Sequence, residues 1–185
     1  DELPPGRKAV KTSIIAESKR NELIESVRNA CTQGQQVYWV CTLIEESETL
    51  QCQAAELTFE KLHQLLPDVR IGLVHGRMKP EQKDRVIMAF KAGELQLLVA
   101  TTVIEVGVDV PNASIMIIEN PERLGLSQIH QLRGRVGRGN QESFCLLLVK
   151  NDLSKQVTYR MEIIRNNQDG FIIAEKDLEI RGAGE

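Results

Sequence analysis

Aromatic residues are scarce in this sequence, at 4% of 185 residues. Stacking of bases on an aromatic platform, a common way to hold single-stranded nucleic acid, is therefore not indicated. No apolar run approaches the roughly 20 residues that cross a bilayer. The first residues, "DELPPGRKAV", form neither a hydrophobic signal nor a basic presequence. We therefore expect no membrane association and a cytoplasmic location.

Closely spaced cysteines are also missing. Cys31, Cys41, Cys52 and Cys145 are scattered and form no C-x-x-C pair. Zinc sites need thiolates or imidazoles at short spacing, so we expect no metal site in this chain. The pattern instead indicates reduced, mostly buried thiols in a reducing compartment.

The net charge of −3 excludes a general polycation that coats nucleic acid. Any phosphate contact must then be local, and the stretch 131–139, "QLRGRVGRG", is where cations concentrate. Four arginines and no acidic residue lie between Arg123 and Gln141. A guanidinium donates two parallel hydrogen bonds to phosphate oxygens, so this stretch could grip a triphosphate. The alternative is a surface helix whose arginines bridge to distant acids.

Helical spacing predicts two stripes on a helix that begins near Ser127. The buried stripe consists of Ile129, Leu132 and Val136. The polar stripe consists of Gln131, Arg135 and Arg138, with Arg133 pointing elsewhere. Gly134 and Gly137 would each cost about 1 kcal/mol relative to alanine inside a helix. We therefore expect a close approach of backbone or ligand at these glycines.

Short β-branched runs alternate with amphipathic helical stretches up to about residue 150, which predicts an α/β fold with a parallel sheet and helices on both faces. Strands are expected at 9–15, 36–43, 69–76, 95–102, 114–119 and 143–149, and helices from about 18, 47, 79 and 127. The run 36–43 is too apolar for a surface strand and should lie centrally. Beyond Lys150 the polar helical text predicts a C-terminal helical appendage over 151–185.

Four blocks together resemble superfamily 2 helicases. The stretch "QLRGRVGRG" is similar to motif VI, "VATTVIEVGVDVPNA" to motif V, and "VYWVCTLIEESE" occupies the place of motif IV. The block "VHGRMKPEQKDRVIMAF" lies between them, in the family's order. The resemblance implies a RecA-like fold of the P-loop NTPase type, with residues 1–150 as the second motor domain and residues 151–185 as the start of a translocation-coupling hairpin.

Longer stretches are similar to the bacterial branched-DNA helicases of this superfamily, notably "IENPERLGLSQIHQLRGRVGRG" and the tail "DGFIIAEKDLEIRGAGE". The resemblance implies an ATP-dependent DNA helicase that reverses replication forks and migrates Holliday junctions in recombination and repair. It implies a bacterial, nucleoid-associated location in the cytoplasm. The alternatives are a transcription-repair coupling translocase, an RNA-directed helicase and a non-catalytic RecA-like module that docks nucleic acid or protein.

The motif correspondence implies nucleotide contacts. Arg135 and Arg138 would be catalytic arginine fingers, and Gln131, Gly107 and Asp109 would contact ATP. Asp109 could instead be a turn residue before a proline. The finger assignment requires that the guanidinium groups do not point into bulk water far from the carboxyl edge of the sheet.

The resemblance also implies DNA contacts at strand ends, where open parallel sheets present ligands. The candidates are Thr42, His75, Gly76, Arg77, Thr101 and Thr102, and Arg85 could also reach DNA. His75 could be an ordinary structural histidine, Thr101 a strand terminus, and Arg85 part of a solvated helix face. Arg133, which would face DNA or a partner domain, and Arg160 are the coupling candidates, although Arg160 could be a surface helix charge.

The sequence contains no G-x-x-x-x-G-K-[ST] phosphate loop and no accompanying acidic motif for Mg²⁺. We therefore expect ATP and Mg²⁺ to be held mainly by an N-terminal motor domain of a longer polypeptide, and this chain alone to be inactive. The expected partners are that domain, a wedge domain, branched or forked DNA, and single-stranded-DNA-binding protein.

Overall fold

The computed structural model describes residues 10–42, 47–101, 110, 113–137, 142–168, 172–173, 175–176 and 178–180. The strands are β1 (Val10–Ala16), β2 (Gln36–Cys41), β3 (Ile71–Val74), β4 (Leu97–Thr101), β5 (Ala113–Glu119) and β6 (Ser143–Val149). The helices are α1 (Arg20–Thr32), α2 (Glu48–Leu65), α3 (Pro80–Lys91), α4 (Leu126–Arg133) and α5 (Lys155–Asn166). These elements reproduce the predicted alternation, with most boundaries displaced by one to three residues.

The strands form one parallel sheet in the order β1-β6-β5-β2-β4-β3. The predicted central position of the 36–43 run is confirmed, because β2 lies between β5 and β4 and all its residues are buried. Val37 and Trp39 pack with the apolar residues of α1 and α2, whereas Tyr38 and Val40 pack with those of α3, α4 and α5. Helices therefore cover both faces of the sheet, as the alternation predicts.

Helix α1 shows how local sequence sets these elements. Its buried residues are the five on the predicted apolar face, namely Leu23, Ile24, Val27, Ala30 and Cys31. The chain leaves the helix through Gly34, whose φ of +88° lies in the left-handed region that glycine adopts without a steric penalty. Helix α2 begins where predicted, because the Ser47 side chain accepts a hydrogen bond from the Leu50 amide at 3.2 Å.

Helix α5 is part of the domain core. Met161, Ile163 and Ile164 are buried in the same hydrophobic cluster as the residues of β6 and α4. The Gln168 side chain donates to the Val10 carbonyl of edge strand β1 at 2.6 Å. While the division of the chain at Lys150 into two domains stays a prediction, the segment after Lys150 begins with a helix that packs into this core and completes one face of the sheet. The amphipathic pattern of α5 could have indicated this, because the buried residues recur at helical spacing.

All four cysteines are buried, which confirms the prediction of buried thiols, while the reducing compartment stays a prediction. Burial raises the pKa of Cys31 to about 11 and the pKa values of Cys41 and Cys145 to about 12. Only the thiolate is strongly nucleophilic, so at pH 8 fewer than about one in a thousand of these thiols are in the reactive form.

We therefore expect Ellman's reagent at pH 8 to label no thiol of the folded chain within minutes, and to label all four cysteines after unfolding in urea. The absorbance of the released thionitrobenzoate measures the reaction, and free glutathione serves as the reactive control. Rapid labelling of any cysteine before urea is added would contradict the burial of these side chains.

Candidate functional site

Helix α4 ends before the arginines that were expected to form its polar stripe. The last helical residue is Arg133, and Gly134 is the C-cap with a φ of −67°. The Arg135 amide donates to the Leu132 carbonyl at 2.9 Å, which is a tightened final turn. Gly137 has a φ of +83°, so it belongs to a turn that favours glycine. The prediction of one helical stripe from Gln131 to Arg138 was therefore wrong, and neither glycine lies in a helix interior.

The buried stripe survives this correction. Ile129 and Val136 are fully buried and Leu132 is 8% exposed, all in the cluster that α4 shares with α5. Gln131 is exposed and Arg135 is half-buried. The Gly134 position is tight, because a Cβ there would lie 3.3 Å from the Gln131 carbonyl oxygen. A larger residue at position 134 would therefore require this carbonyl to shift by a few tenths of an ångström.

Arg133 points into the protein. Its side chain is among the largest that are fully buried, and burial lowers the pKa of its guanidinium. The guanidinium donates to Thr12 Oγ1 at 3.2 Å, to the Ile164 carbonyl at 2.6 Å and to the Asn167 carbonyl at 2.8 Å. It also lies 3.0 Å from His130 Nδ1. The expectation that Arg133 faces DNA or a partner domain was therefore wrong, because its donors are already used within this domain.

These contacts place the arginine segment 133–137 toward the amino-terminal ends of the strands. Thr12 is near the start of β1, and β6 begins at Ser143, shortly after the segment. The reason is topological: α4 follows β5 and must run back along the sheet before the parallel strand β6 can start. The expected proximity to the carboxyl edge was therefore wrong for this segment, although Arg135 is half-buried and not fully exposed to bulk water. From Thr12, that edge lies about 13 Å further along β1, at Ala16.

Arg138 lies outside the described residues, as do Gly107, Asp109 and Thr102. Of the expected nucleotide contacts, the structure describes only Gln131 and Arg135. Their roles, and the roles assigned to the undescribed residues, stay predictions.

The carboxyl edge brings together several of the expected DNA contacts. Thr42 follows β2 and is 2% exposed, and its hydroxyl donates to the carbonyl of Glu119 at 2.9 Å and to that of Asn120 at 3.2 Å. Thr101 ends the neighbouring strand β4 and is 1% exposed. Both threonines therefore face inward in this chain, and the Thr42 hydroxyl ties the end of β2 to the end of β5.

His75, Gly76 and Arg77 form a turn after β3 at the same edge. The Arg77 amide donates to His75 Nδ1 at 3.2 Å, and the Arg77 guanidinium donates to Thr49 Oγ1 in the first turn of α2. Glu56 lies 3.7 Å from His75 Nε2. A Cβ on Gly76 would come within 3.1 Å of Glu48 Oε1. His75 thus has the local partners of a structural histidine, while Arg77 remains exposed at the edge.

Arg160, on α5, contacts the loop that leads into α4. Its guanidinium donates to the carbonyls of Glu122, at 3.2 Å, and of Leu124. Arg133 makes the complementary connection from the end of α4 to the carbonyls at the end of α5. Arg160 is therefore not a plain surface charge. The two arginines join both ends of α4 to α5.

An ion pair that the sequence did not predict lies at the carboxyl edge. Arg20, the first residue of α1, lies 2.5 Å from Glu119 Oε1 and 3.1 Å from Glu17 Oε1. Its guanidinium carbon is 5.4 Å from the Trp39 ring centroid. Arg20 and Glu119 are far apart in the sequence, and no local pattern indicates that they meet.

In the part of the chain that the structure describes, no three His, Cys, Asp or Glu side chains are placed to hold a metal ion. No helix among the described residues is long and apolar enough to span a membrane.

Comparison with solved structures supports the fold. A structure of RecG bound to a three-way DNA junction is similar over 100% of this chain and 24% of that chain, with a TM-score of 0.83 and 46% identity. A yeast Dbp5 structure with RNA and ADP BeF3 is similar over 97% of this chain, with a TM-score of 0.65 at 15% identity. The second likeness concerns the fold alone.

Sequence comparison supports the expected family. The chain is 64% identical to the ATP-dependent DNA helicase RecG of Escherichia coli O157:H7 over 186 residues, and 50% identical to that of Thermotoga maritima. Each alignment covers 100% of this chain, but the chain spans only 27% and 24% of the length of these relatives. The expected resemblance to branched-DNA helicases is thereby confirmed.

Residues 18–140 match the family described as the helicase conserved C-terminal domain. This match takes in β2, α4 and the arginine segment, the same elements from which the helicase motifs were read. The chain therefore belongs to the helicase conserved C-terminal domain family.

Proposed function

We propose that this chain is the C-terminal motor domain of an ATP-dependent DNA helicase that remodels branched DNA. The observation that carries the proposal is the 64% identity to RecG along the entire chain. The reactions would be replication-fork reversal and Holliday-junction branch migration. We place the protein in the bacterial cytoplasm, at the nucleoid, with a wedge domain and single-stranded-DNA-binding protein as partners.

The nucleotide side of the proposal rests on the arginine segment. Arg135 and Arg138 would donate to phosphate oxygens of an ATP that an N-terminal motor domain carries, and such arginines stabilise the charge that develops on the transferred phosphoryl group. The segment fits an anion because residues 123–141 contain no acid in the sequence. Mg²⁺ would be held by the other motor domain, since the described residues offer no acidic cluster for it.

The DNA side rests on the carboxyl edge. Arg77 is exposed there beside the first turn of α2, and backbone amides around Thr42 and Gly76 would lie along a phosphate backbone. Because Thr42 and Thr101 are buried, we assign their contribution to the shape of the edge and to backbone amides. The nucleotide and DNA surfaces thus lie at opposite ends of the same strands.

The two surfaces need a mechanical link, and α4 with α5 supplies one. Arg133 and Arg160 tie α4 to α5 at both ends, so a movement of the arginine segment would carry α5 and the tail with it. We assign both residues a coupling role on this basis. Arg133 would thus act through its contacts with α5 inside the domain, without touching DNA.

The proposal is tested with the full-length polypeptide by comparing single-stranded RNA, linear duplex DNA and forked DNA as stimulators of ATP hydrolysis. We expect the greatest stimulation with forked DNA. The chain of residues 1–185 alone, as the control, should hydrolyse no ATP. Equal stimulation by all three nucleic acids would contradict a branched-DNA enzyme. A full-length protein that binds DNA but never hydrolyses ATP would favour the docking module.

A further inference from the structure

A carboxylate, that of Glu119, lies at the carboxyl edge where DNA phosphates are proposed to bind. The main-chain carbonyl of Glu119 accepts a hydrogen bond from the Thr42 hydroxyl, so the Glu119 side chain lies next to the proposed DNA contact. That side chain is 14% exposed, and its Oε2 lies 3.9 Å from Cys41 Sγ at the end of β2. A phosphate backbone that follows this edge would be repelled by an unpaired charge at Glu119, because like charges within about 10 Å are incompletely screened by salt.

Arg20 pairs with this carboxylate at 2.5 Å and with the Glu17 carboxylate at 3.1 Å, from a position that is otherwise unfavourable for a cation. It is the first residue of α1, where the helix dipole disfavours positive charge. The short contact of the guanidinium with Glu119 and its place over Trp39 offset that effect. Trp39 is fully buried in the central strand, so the ring beneath Arg20 is held by close packing.

We propose that Arg20 is a positioning residue. It screens the Glu119 carboxylate from the phosphates of DNA and so preserves the affinity of the carboxyl edge near Thr42 for DNA. The inference rests on the proposed function and deepens it. Arg20 need not touch DNA. Its effect is exerted mainly through Glu119, which is 14% exposed, because the charge of Glu17, at 47% exposed, is screened by water. The loss of Arg20 should therefore be reversed by removing the Glu119 carboxylate as well.

The test uses the full-length polypeptide and the variants Arg20→Gln, Glu119→Gln and the double variant Arg20→Gln/Glu119→Gln. The measured quantity is the forked-DNA concentration that gives half-maximal ATP hydrolysis, at low and at moderate salt. We expect Arg20→Gln to raise this concentration about threefold to tenfold at low salt, and less at moderate salt. The double variant should return to within about twofold of wild type, with the rate at saturating DNA unchanged throughout.

Two further variants serve as controls. Arg20→Lys keeps the charge and should behave like wild type. Asp68→Asn removes an exposed carboxylate from the turn between α2 and β3, at the opposite edge, and should change nothing. Equal loss in Arg20→Gln and in the double variant would overturn screening in favour of a structural role, and an unchanged Arg20→Gln would overturn it outright. A wild-type protein that DNA does not stimulate would instead remove the proposed function itself.

Discussion

Replacing Arg138 by alanine in the full-length polypeptide is expected to lower DNA-stimulated ATP hydrolysis by about 10³ to 10⁵ while leaving ATP binding largely intact. The reason is that a guanidinium aimed at the transferred phosphoryl group acts mainly on the transition state, and other contacts hold the ground-state nucleotide. Steady-state hydrolysis with forked DNA measures the first quantity. Titration with a fluorescent ATP analogue measures the second.

Arg135→Ala should have a similar effect, because both arginines match the same motif. Arg135→Lys should restore little activity, since an ammonium group cannot reproduce two parallel hydrogen bonds. The matched control is Arg123→Ala, which removes an exposed arginine from the turn before α4. Undiminished hydrolysis by Arg138→Ala would refute the assignment of Arg138 as a finger.

The second large effect is expected on stability. Arg133→Ala would leave the buried Ile164 carbonyl, the part-buried Asn167 carbonyl and the buried Thr12 hydroxyl without their donor. Each unsatisfied buried polar group costs about 1 to 3 kcal/mol, so we expect the free energy of unfolding to fall by about 3 to 5 kcal/mol. Urea unfolding of the chain can be followed by the fluorescence of Trp39, its single tryptophan.

The unfolding free energy of Arg133→Lys should fall between those of wild type and Arg133→Ala. A lysine ammonium is a single compact donor group, so it cannot reach all these acceptors at once. The control is Arg165→Ala, which removes an exposed arginine from the last turn of α5 and should change the unfolding free energy by about 0.5 kcal/mol at most. A loss below about 1 kcal/mol in Arg133→Ala would mean that water replaces the guanidinium, and that the link between α4 and α5 is weak.

Most of the fold was accessible from the sequence. The five apolar positions of α1, the Ser47 start of α2 and the buried run of β2 follow from spacing and composition, and the structure confirms them. These features are local, since a helix face or a buried strand depends on neighbours only a few residues away. The family resemblance adds the expected functional residues, but it does not indicate whether each side chain points into the domain or toward a ligand.

The candidate site was predicted less completely, and α4 shows why. The alternation of arginine and glycine fits an extended helical stripe, but the helix ends at Arg133 and the chain turns on to Gly137, whose φ of +83° favours glycine. Helical periodicity does not locate the end of a helix when the polar and apolar spacing continues past its last residue, as it does beyond Arg133. The predicted stripe therefore joined Gln131 to arginines that lie beyond the last turn.

The order of elements, the central strand and the family were determined by the order of residues alone, because pattern and motif are properties of short stretches. The inward direction of Arg133 was decided by tertiary structure, since its partners Thr12 and Ile164 lie 121 and 31 residues away. The same holds for Arg20 and Glu119, which meet only because the sheet sets the end of β5 beside the start of α1. A parallel sheet places distant residues at a common edge, and which charges then pair depends on distances that no local pattern records.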